Sequence, residues 1–266
     1  MTASKSFLEK LRISLREDAN RRFVVAYSGG IDSHVLLHAM VSYIGKDKQR
    51  LHVAHVNHGL HPDSKQWAER CVLTSTELGI AATVLKIDDD PPPGQSIESW
   101  ARGHRYRLLK SILRAEDVLL SAHHQDDLAE TLLLQLFRGA GPHGLASIAE
   151  RQQFGAGILL RPLLNVTSAD IREYARVHYL EWIDDPSNEQ DRYDRNYIRH
   201  HVLPVIEQRW PAVSERIAHA VKLQVRAAAG LDEAADAILK DAIGSENSQI
   251  SVMALRQLSD EMQSWV

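Results

Sequence analysis

Apolar residues in this 266-residue chain form short continuous runs that alternate with longer stretches of helical periodicity. Four runs have the length and the β-branched content of buried strands: 23–27, 51–57, 82–87 and 118–122. The stretches between and after them predict helices over 33–44, 64–78, 96–113 and 126–137. This alternation predicts an α/β fold with a doubly wound, mainly parallel sheet. In such a sheet the loops after successive strands meet at one edge, where ligands bind.

Further helices are predicted over 168–179 and 213–243, and the composition becomes Ala-rich after Pro211. We therefore expect a catalytic domain over 1–211 and a smaller helical domain over 212–266. Val252, Leu255, Leu258, Met262 and Trp265 share one helical face, yet no capping residue follows them. We expect this second domain to be an incomplete part of a larger one.

The first predicted strand leads directly into the sequence Ser28-Gly29-Gly30-Ile31-Asp32-Ser33, which we call the phosphate turn. Its two glycines allow backbone N–H groups to point outward, and a helix begins at once, so an anion is favoured there. The P-loop pattern GxxxxGK[ST] is absent. An acid in a phosphate site requires a cation, which predicts Mg²⁺ at Asp32. The alternative is an ordinary tight turn between a strand and a helix.

Composition narrows the class of protein. The apolar fraction of 44% and the charged fraction of 25% are typical of a globular chain. Neither a signal peptide nor an apolar run of membrane-spanning length is present, so we expect a cytoplasmic location and no membrane partner. The single cysteine, Cys71, excludes an internal disulfide and a Cys₄ zinc site.

The net charge of −4 is not that of a typical nucleic-acid-binding protein, but the basic residues cluster. They concentrate in 98–114 and in 192–209, which fits a local polyanion site. Solvated helix faces are the alternative interpretation. Within the first stretch, Glu98, Arg102 and Arg105 share a helical face and either form a ladder of ion pairs or bind phosphates.

Two histidines and three acids follow the fourth predicted strand. His123 and His124 precede Asp126 and Asp127, and Glu130 lies one turn further along the helix. The interpretations are a capped helix, a metal-dependent hydrolase site, or a substrate site that also handles protons. The third is favoured, because HExxH is absent and no other ligands are evident.

Seven motifs occur in order along the chain, and together they resemble the tRNA(Ile)-lysidine synthetase family of N-type ATP pyrophosphatases (PP-loop proteins). The resemblance covers about residues 20–210. The motifs are the phosphate turn, Val56-Asn-His-Gly-Leu60, Ser96…Glu98…Arg102…Arg105-Tyr106, His123…Asp126-Asp127…Glu130-Thr131, Arg138-Gly-Ala-Gly…Gly144-Leu145, Arg161-Pro-Leu-Leu164 and Asp184-Asp-Pro-Ser-Asn188…Arg195-Asn196…Arg199.

This resemblance implies an adenine nucleotide alpha hydrolase-like fold and a ligase that consumes ATP in two steps. ATP would adenylate the C2 oxygen of the wobble cytidine (C34) of tRNA(Ile) with a CAU anticodon, releasing pyrophosphate. Free L-lysine would then displace AMP, giving lysidine and changing codon reading from AUG to AUA. The cofactors implied are ATP and Mg²⁺, and the partners are that tRNA and free L-lysine, with a homodimer allowed.

The resemblance also implies roles for particular residues. The phosphate turn (Ser28, Gly29, Gly30, Ile31, Asp32, Ser33) and Arg102 would bind ATP, with Asp32 also holding Mg²⁺. Catalysis or lysine recognition would fall to Asp32, Asp127, Glu130, Arg105 and His123. We expect Asp127 and Glu130 to bind the lysine ammonium and one of them to accept its proton. Segments 192–209 and 138–145 are the candidates for tRNA contact.

Two other functions fit the same sequence. One is another ATP pyrophosphatase that modifies tRNA or forms amides, although thiolation usually requires paired cysteines or an iron–sulfur cluster. The other is an RNA-binding module that is gated by nucleotide and has no turnover.

Overall fold

A computed structural model of the chain describes residues 3–92, 94, 96–146 and 148–242. The apolar face predicted over 252–265 lies outside the described residues. None of the helices in the described part is long and apolar enough to cross a membrane.

One six-stranded sheet organises the described residues, with the strand order β3-β2-β1-β4-β6-β5. All neighbouring strands are parallel except β5, which pairs antiparallel to β6. The strands are β1 (Phe23–Ala26), β2 (Leu51–Asn57), β3 (Ala81–Lys86), β4 (Val118–Leu120), β5 (Arg151–Phe154) and β6 (Gly157–Leu160). The mainly parallel α/β fold is therefore confirmed.

Helices connect and cover these strands. They are α1 (Ala3–Ser14), α2 (Ile31–Ile44), α3 (Ser64–Glu77), α4 (Ile97–Ile112), α5 (Gln125–Phe137), α6 (Pro142–Leu145), α7 (Ser168–Val177), α8 (Asp194–Tyr197), α9 (Leu203–Arg209) and α10 (Val213–Ala242). A π-helical turn, Ile198–Val202, joins α8 to α9. The four strands and the main helices predicted from periodicity are present within one or two residues of the expected ends.

Several elements were not predicted from the sequence, namely α1, the hairpin of β5 and β6, and the short helices α6, α8 and α9. The hairpin of β5 and β6 is short, and the polar residues of its edge strand carry no strand-like alternation. Helix α1 precedes the first predicted strand and buries Phe7 and Leu11, and Leu15 directly after the helix continues this spacing of four residues.

The core lies on both faces of the sheet. On one face α1, α2 and α7 enclose the larger apolar cluster, which includes Phe7, Leu36 and Tyr174. On the other face α4 packs Leu109 against Val24 and Leu119. Because β1 to β4 are parallel, their carboxyl ends and the loops that follow lie along one edge, as the sequence predicted.

Helix α10 packs against the part of the fold that carries this edge. Ala218 and Val221 of α10 are buried in a cluster with Leu128 of α5. The turn before α10 includes Ala212, which has φ of +61°. The division into domains near Pro211 stays a prediction, and α10 belongs to the surroundings of the site described next.

Candidate active site

The phosphate turn is held by hydrogen bonds among its own residues. The hydroxyl of Ser33 donates to the Gly30 carbonyl at 3.0 Å and lies 3.0 Å from the Ser28 hydroxyl. The Ser28 N–H donates to the Ser33 hydroxyl at 3.2 Å. Gly30 is the N-cap residue of α2, and having no side chain it does not cap the first amides of the helix. The turn thus leaves the positive end of α2 open to an anion.

A second segment of the chain passes directly over this turn. The Ile183 N–H donates to the Gly29 carbonyl at 3.0 Å. Gly29 has φ of +90°, and a Cβ there would lie 2.7 Å from Ile183 Cδ1 and 3.1 Å from Cys71 Sγ. Both the backbone conformation and the space therefore require glycine at position 29.

Asp32 lies in the first turn of α2 with 41% of its side chain exposed. Burial raises the pKa of Asp32, and the nearby charge of Asp127 adds to that increase. Electrostatic interactions with His124, Arg199 and Arg172 act in the opposite direction. A carboxylate that is partly desolvated in this way gains from a cation beside it.

His124 joins the phosphate turn to the acids of α5. It is the N-cap of α5, and its Nδ1 accepts a hydrogen bond from the Asp126 N–H at 3.3 Å. Its Nε2 lies 3.8 Å from Asp32 and 3.6 Å from Asp127. The site predictions from sequence named His123 and omitted His124; the N-cap position was the signal that could have identified it.

Glu130 is fully buried, and arginines occupy both of its oxygens. Arg199 donates from Nε to Oε1 at 2.6 Å, and Arg195 donates from Nε to Oε2 at 2.8 Å. Arg199 adds a second bond from Nη2 at 2.9 Å. The sequence placed these two arginines in a stretch expected to face tRNA; the structure instead turns them inward onto α5.

Asp127 shares these cations and is also nearly buried. Its Oδ2 accepts from the His124 backbone N–H at 2.9 Å, and Oδ1 lies 3.4 Å from Arg195 and 3.7 Å from Arg199. Burial would raise the pKa of Asp127, but its electrostatic interactions with His124 and Arg195 outweigh burial and hold that pKa below its usual value. Asp127 is therefore ionised at neutral pH.

His123 follows β4 at the same edge, within electrostatic reach of Arg105. The Nδ1 of His123 lies 2.6 Å from the Ser121 hydroxyl. Burial lowers the pKa of His123 to about 3, and Arg161, Arg195 and Arg105 contribute. His123 is thus neutral at physiological pH.

Arg102 and Arg105 both lie over the Tyr106 ring, and Arg102 is the more exposed of the two. The Arg102 guanidinium is exposed and lies 5.0 Å from the centre of the Tyr106 ring. The Glu98 side chain, predicted on the same helix face, lies outside the described residues. Contact between Arg102 and a nucleotide stays a prediction.

The residues described leave a cleft of about 950 Å³ beside Asp32. The starts of α2, α5 and α7 form one side of it, and α9 and α10 form the other. Among the described side chains, no three His, Cys, Asp or Glu converge as a preformed metal site. Cys71 is buried, and burial raises its pKa to about 12, so its thiol is inert at neutral pH.

Three curated relatives, each named tRNA(Ile)-lysidine synthase, align with most of the chain. The protein of Coxiella burnetii is 39% identical over 245 residues, covering 92% of this chain and 54% of the relative. The protein of Methylococcus capsulatus is 41% identical over 250 residues, covering 94% and 56%. The protein of Alkalilimnicola ehrlichii is 44% identical over 213 residues, covering 80% and 48%. The chain thus spans about half the length of these relatives.

Among solved structures, the U34-tRNA thiolase NcsA from Methanococcus maripaludis with its [4Fe-4S] cluster has a similar fold. Its TM-score is 0.69 at 18% identity, covering 84% of this chain and 78% of that one. The sequence profile of the PP-loop domain family matches residues 3–206, which include the phosphate turn, the acids of α5 and their arginines. With a matched region of that extent, the chain belongs to the PP-loop family.

Proposed function

We propose that this chain is the catalytic part of an enzyme that uses ATP to join free L-lysine to C2 of the wobble cytidine of tRNA(Ile). Three relatives named tRNA(Ile)-lysidine synthase support the proposal. The observation that carries the proposal is that His124 lies between the anion-binding phosphate turn and the ionised carboxylate of Asp127. His124 lies within 4 Å of both Asp32 and Asp127. Asp32 and His124 line the cleft, and Asp127 adjoins His124, so a phosphate site has an ionised acid close beside it.

In the first step, the phosphate turn binds the phosphates of ATP through α2 amides and the hydroxyls of Ser28 and Ser33. The C2 oxygen of the cytidine attacks the α-phosphorus, and pyrophosphate leaves. Asp32, whose carboxylate is partly desolvated, would hold Mg²⁺ together with the phosphates, as this ion prefers. When bound, Mg²⁺ neutralises the charge that develops on the leaving group.

In the second step, the ε-amine of lysine attacks C2 and AMP leaves. Keeping that amine neutral at pH 7 costs about 4.6 kcal/mol, so the site must bind the ammonium and then remove a proton. We assign ammonium binding to Asp127, because it is ionised and lies beside His124. Glu130 fixes Arg195 and Arg199, since both of its oxygens are occupied. This division of roles refines the expectation that both acids bind lysine.

The tRNA would bind next to this site along the outer surface of α5 and α8. Phe137 and Tyr197 are 69% and 53% exposed there, and the Arg192 guanidinium lies 4.8 Å from the centre of the Tyr193 ring. Exposed aromatic rings with arginines suit unstacked bases of a single-stranded loop. With Arg195 and Arg199 turned inward, Arg192 and Arg138 become the principal candidates for phosphate contact.

The decisive experiment incubates the protein with labelled lysine, ATP and total bacterial tRNA at high concentration, followed by nucleoside mass analysis. We expect lysidine to form only when all three substrates are present. Pyrophosphate release without incorporation of lysine would instead favour another tRNA-modifying PP-loop enzyme. Binding of ATP and tRNA with no pyrophosphate released would favour an RNA-binding module without turnover.

A further inference from the structure

The cleft beside Asp32 extends well beyond the phosphate turn. Its far side is formed by α10, which contributes Glu215, His219 and Lys222 at a spacing of four and three residues, hence on one helical face. Its floor is the turn that begins α7, residues 165–168. Neither the motifs nor the proposed chemistry accounts for the side chains on this far side.

Two cations of the cleft differ from the others in their partners. Arg172 donates to the Ser168 hydroxyl at 3.1 Å, and Lys222 donates to the Asn165 side-chain oxygen at 2.5 Å. Neither forms an ion pair with a carboxylate in the part of the chain that the structure describes. By contrast, Lys10 pairs with Asp170 at 3.2 Å. The two unpaired cations are both anchored on the turn 165–168 by neutral groups, so their charges remain available to a ligand.

The position of these cations relates them to the phosphate turn. Both line the same cleft as Ile31 and Asp32. The charge of Arg172 is near enough to Asp32 to oppose the increase in the pKa of that acid. An anion that leaves the turn on this side therefore meets two positive charges that form no ion pair with a carboxylate among the described residues.

We propose that Arg172 and Lys222 bind the pyrophosphate released from ATP at the phosphate turn, and that the cleft between α7 and α10 is its exit route. This inference rests on the proposed function. The bond from the C2 oxygen to the α-phosphorus forms while the bond from that phosphorus to the bridging oxygen breaks. The electron pair leaves with pyrophosphate, whose charge a planar guanidinium and an ammonium stabilise.

Acids also line the cleft, so an anion that binds there must bring a cation with it. Asp126 accepts from the Ser168 N–H at 3.0 Å, and Glu207 accepts from the Ser214 hydroxyl at 3.0 Å, so both carry hydrogen-bonded negative charge. Asp32 and Glu215 add to this charge. Pyrophosphate would therefore bind as its magnesium complex.

The test is calorimetric titration of magnesium pyrophosphate into the full chain, without tRNA or lysine. Arg172 and Lys222 are exposed, so Arg172→Ala and Lys222→Ala should fold normally. We expect each to weaken binding about tenfold and the double variant to weaken it more. Arg176→Ala is the matched control, since Arg176 lies on the same helix but pairs with Glu173 at 2.7 Å and does not line the cleft.

Unchanged affinity in the double variant would overturn the inference. The same cations could instead bind the α-carboxylate of free lysine, so a second arm compares lysine with lysinamide in the full reaction. Selective loss of the preference for lysine, with pyrophosphate binding intact, would also overturn it. If the wild-type protein binds pyrophosphate but forms no lysidine, the proposed function fails and the pyrophosphate site stands.

Discussion

Arg199 binds Glu130 through two parallel hydrogen bonds, Nε to Oε1 at 2.6 Å and Nη2 to Oε2 at 2.9 Å. Because Arg195 bonds to the same carboxylate, the segment from α8 to α9 is fixed against α5 beside the phosphate turn. The π-helical turn Ile198–Val202 contains Arg199, and such turns often occur at functional sites. From these contacts we propose that Glu130 acts as a positioning residue.

Replacing Glu130 with Gln should destabilise the protein by about 2–4 kcal/mol, because two partly buried arginines lose their carboxylate. Urea unfolding followed by circular dichroism measures this loss. The control is Glu173→Gln, which removes an exposed pair on α7 and should leave the unfolding midpoint unchanged. Equal effects of the two substitutions would contradict the assigned role of Glu130.

Asp127→Asn should raise the KM for lysine about tenfold or more, since an amide cannot balance the ammonium charge. Glu130→Gln should lower kcat more than it raises the KM for lysine, because Glu130 acts by fixing Arg195 and Arg199 and does not bind lysine itself. Steady-state kinetics with lysine as the varied substrate distinguishes the two. A lysine KM that is unchanged in Asp127→Asn would place the amine site elsewhere.

Asp32→Asn should abolish pyrophosphate release while leaving the fold intact. It should also raise Tm at pH 7 by about 1–3 °C, a small value because Asp32 is two-fifths exposed. Burial raises the pKa of Asp32 in the folded state, so its ionisation costs stability as pH rises above the ordinary Asp value. The gain in Tm from Asn should therefore vanish at acidic pH. Normal pyrophosphate release by this variant would exclude Asp32 from the mechanism.

Gly29→Ala should lower Tm by about 5–10 °C, since the methyl group would overlap Ile183 and the backbone has positive φ. Gly30→Ala is a close control. Its Cβ would lie 3.6 Å from the nearest atom, the Ser28 hydroxyl oxygen, at ordinary contact distance. Thermal unfolding of both variants without nucleotide tests the difference, and similar Tm values would argue against the close packing of Ile183 on the turn.

The protein should lose stability as pH falls from about 7 to 5. Burial lowers the pKa of His55, His58 and His123 in the folded state, so the unfolded chain binds more protons below its ordinary His pKa of about 6.5. The stability is thus present above that value and lost as pH decreases. His55→Asn keeps a donor for the Tyr27 carbonyl and should reduce the slope of Tm against pH. An unchanged slope would show that His55 does not contribute to this pH dependence.

Sequence alone determined the elements that depend on local order. Periodicity located β1 to β4 and the helices between them, and the right-handed parallel connection of such units brings their loops to one edge. The glycine pair, the two serines and Asp32 identified the phosphate turn because those residues act through adjacent backbone. The acids of α5 were found for the same reason, since helical spacing places them on one face.

Only the tertiary structure decided which of these groups remain available to substrates. The sequence suggested that Arg195 and Arg199 are surface charges. Packing of their segment along α5 instead pairs them with Glu130, which lies 65 and 69 residues away along the chain. The tertiary structure also decides the position of Lys222, because α10 brings this residue into the cleft beside Asp32. Ion pairing depends on distances between segments far apart along the chain, and no local pattern encodes those distances.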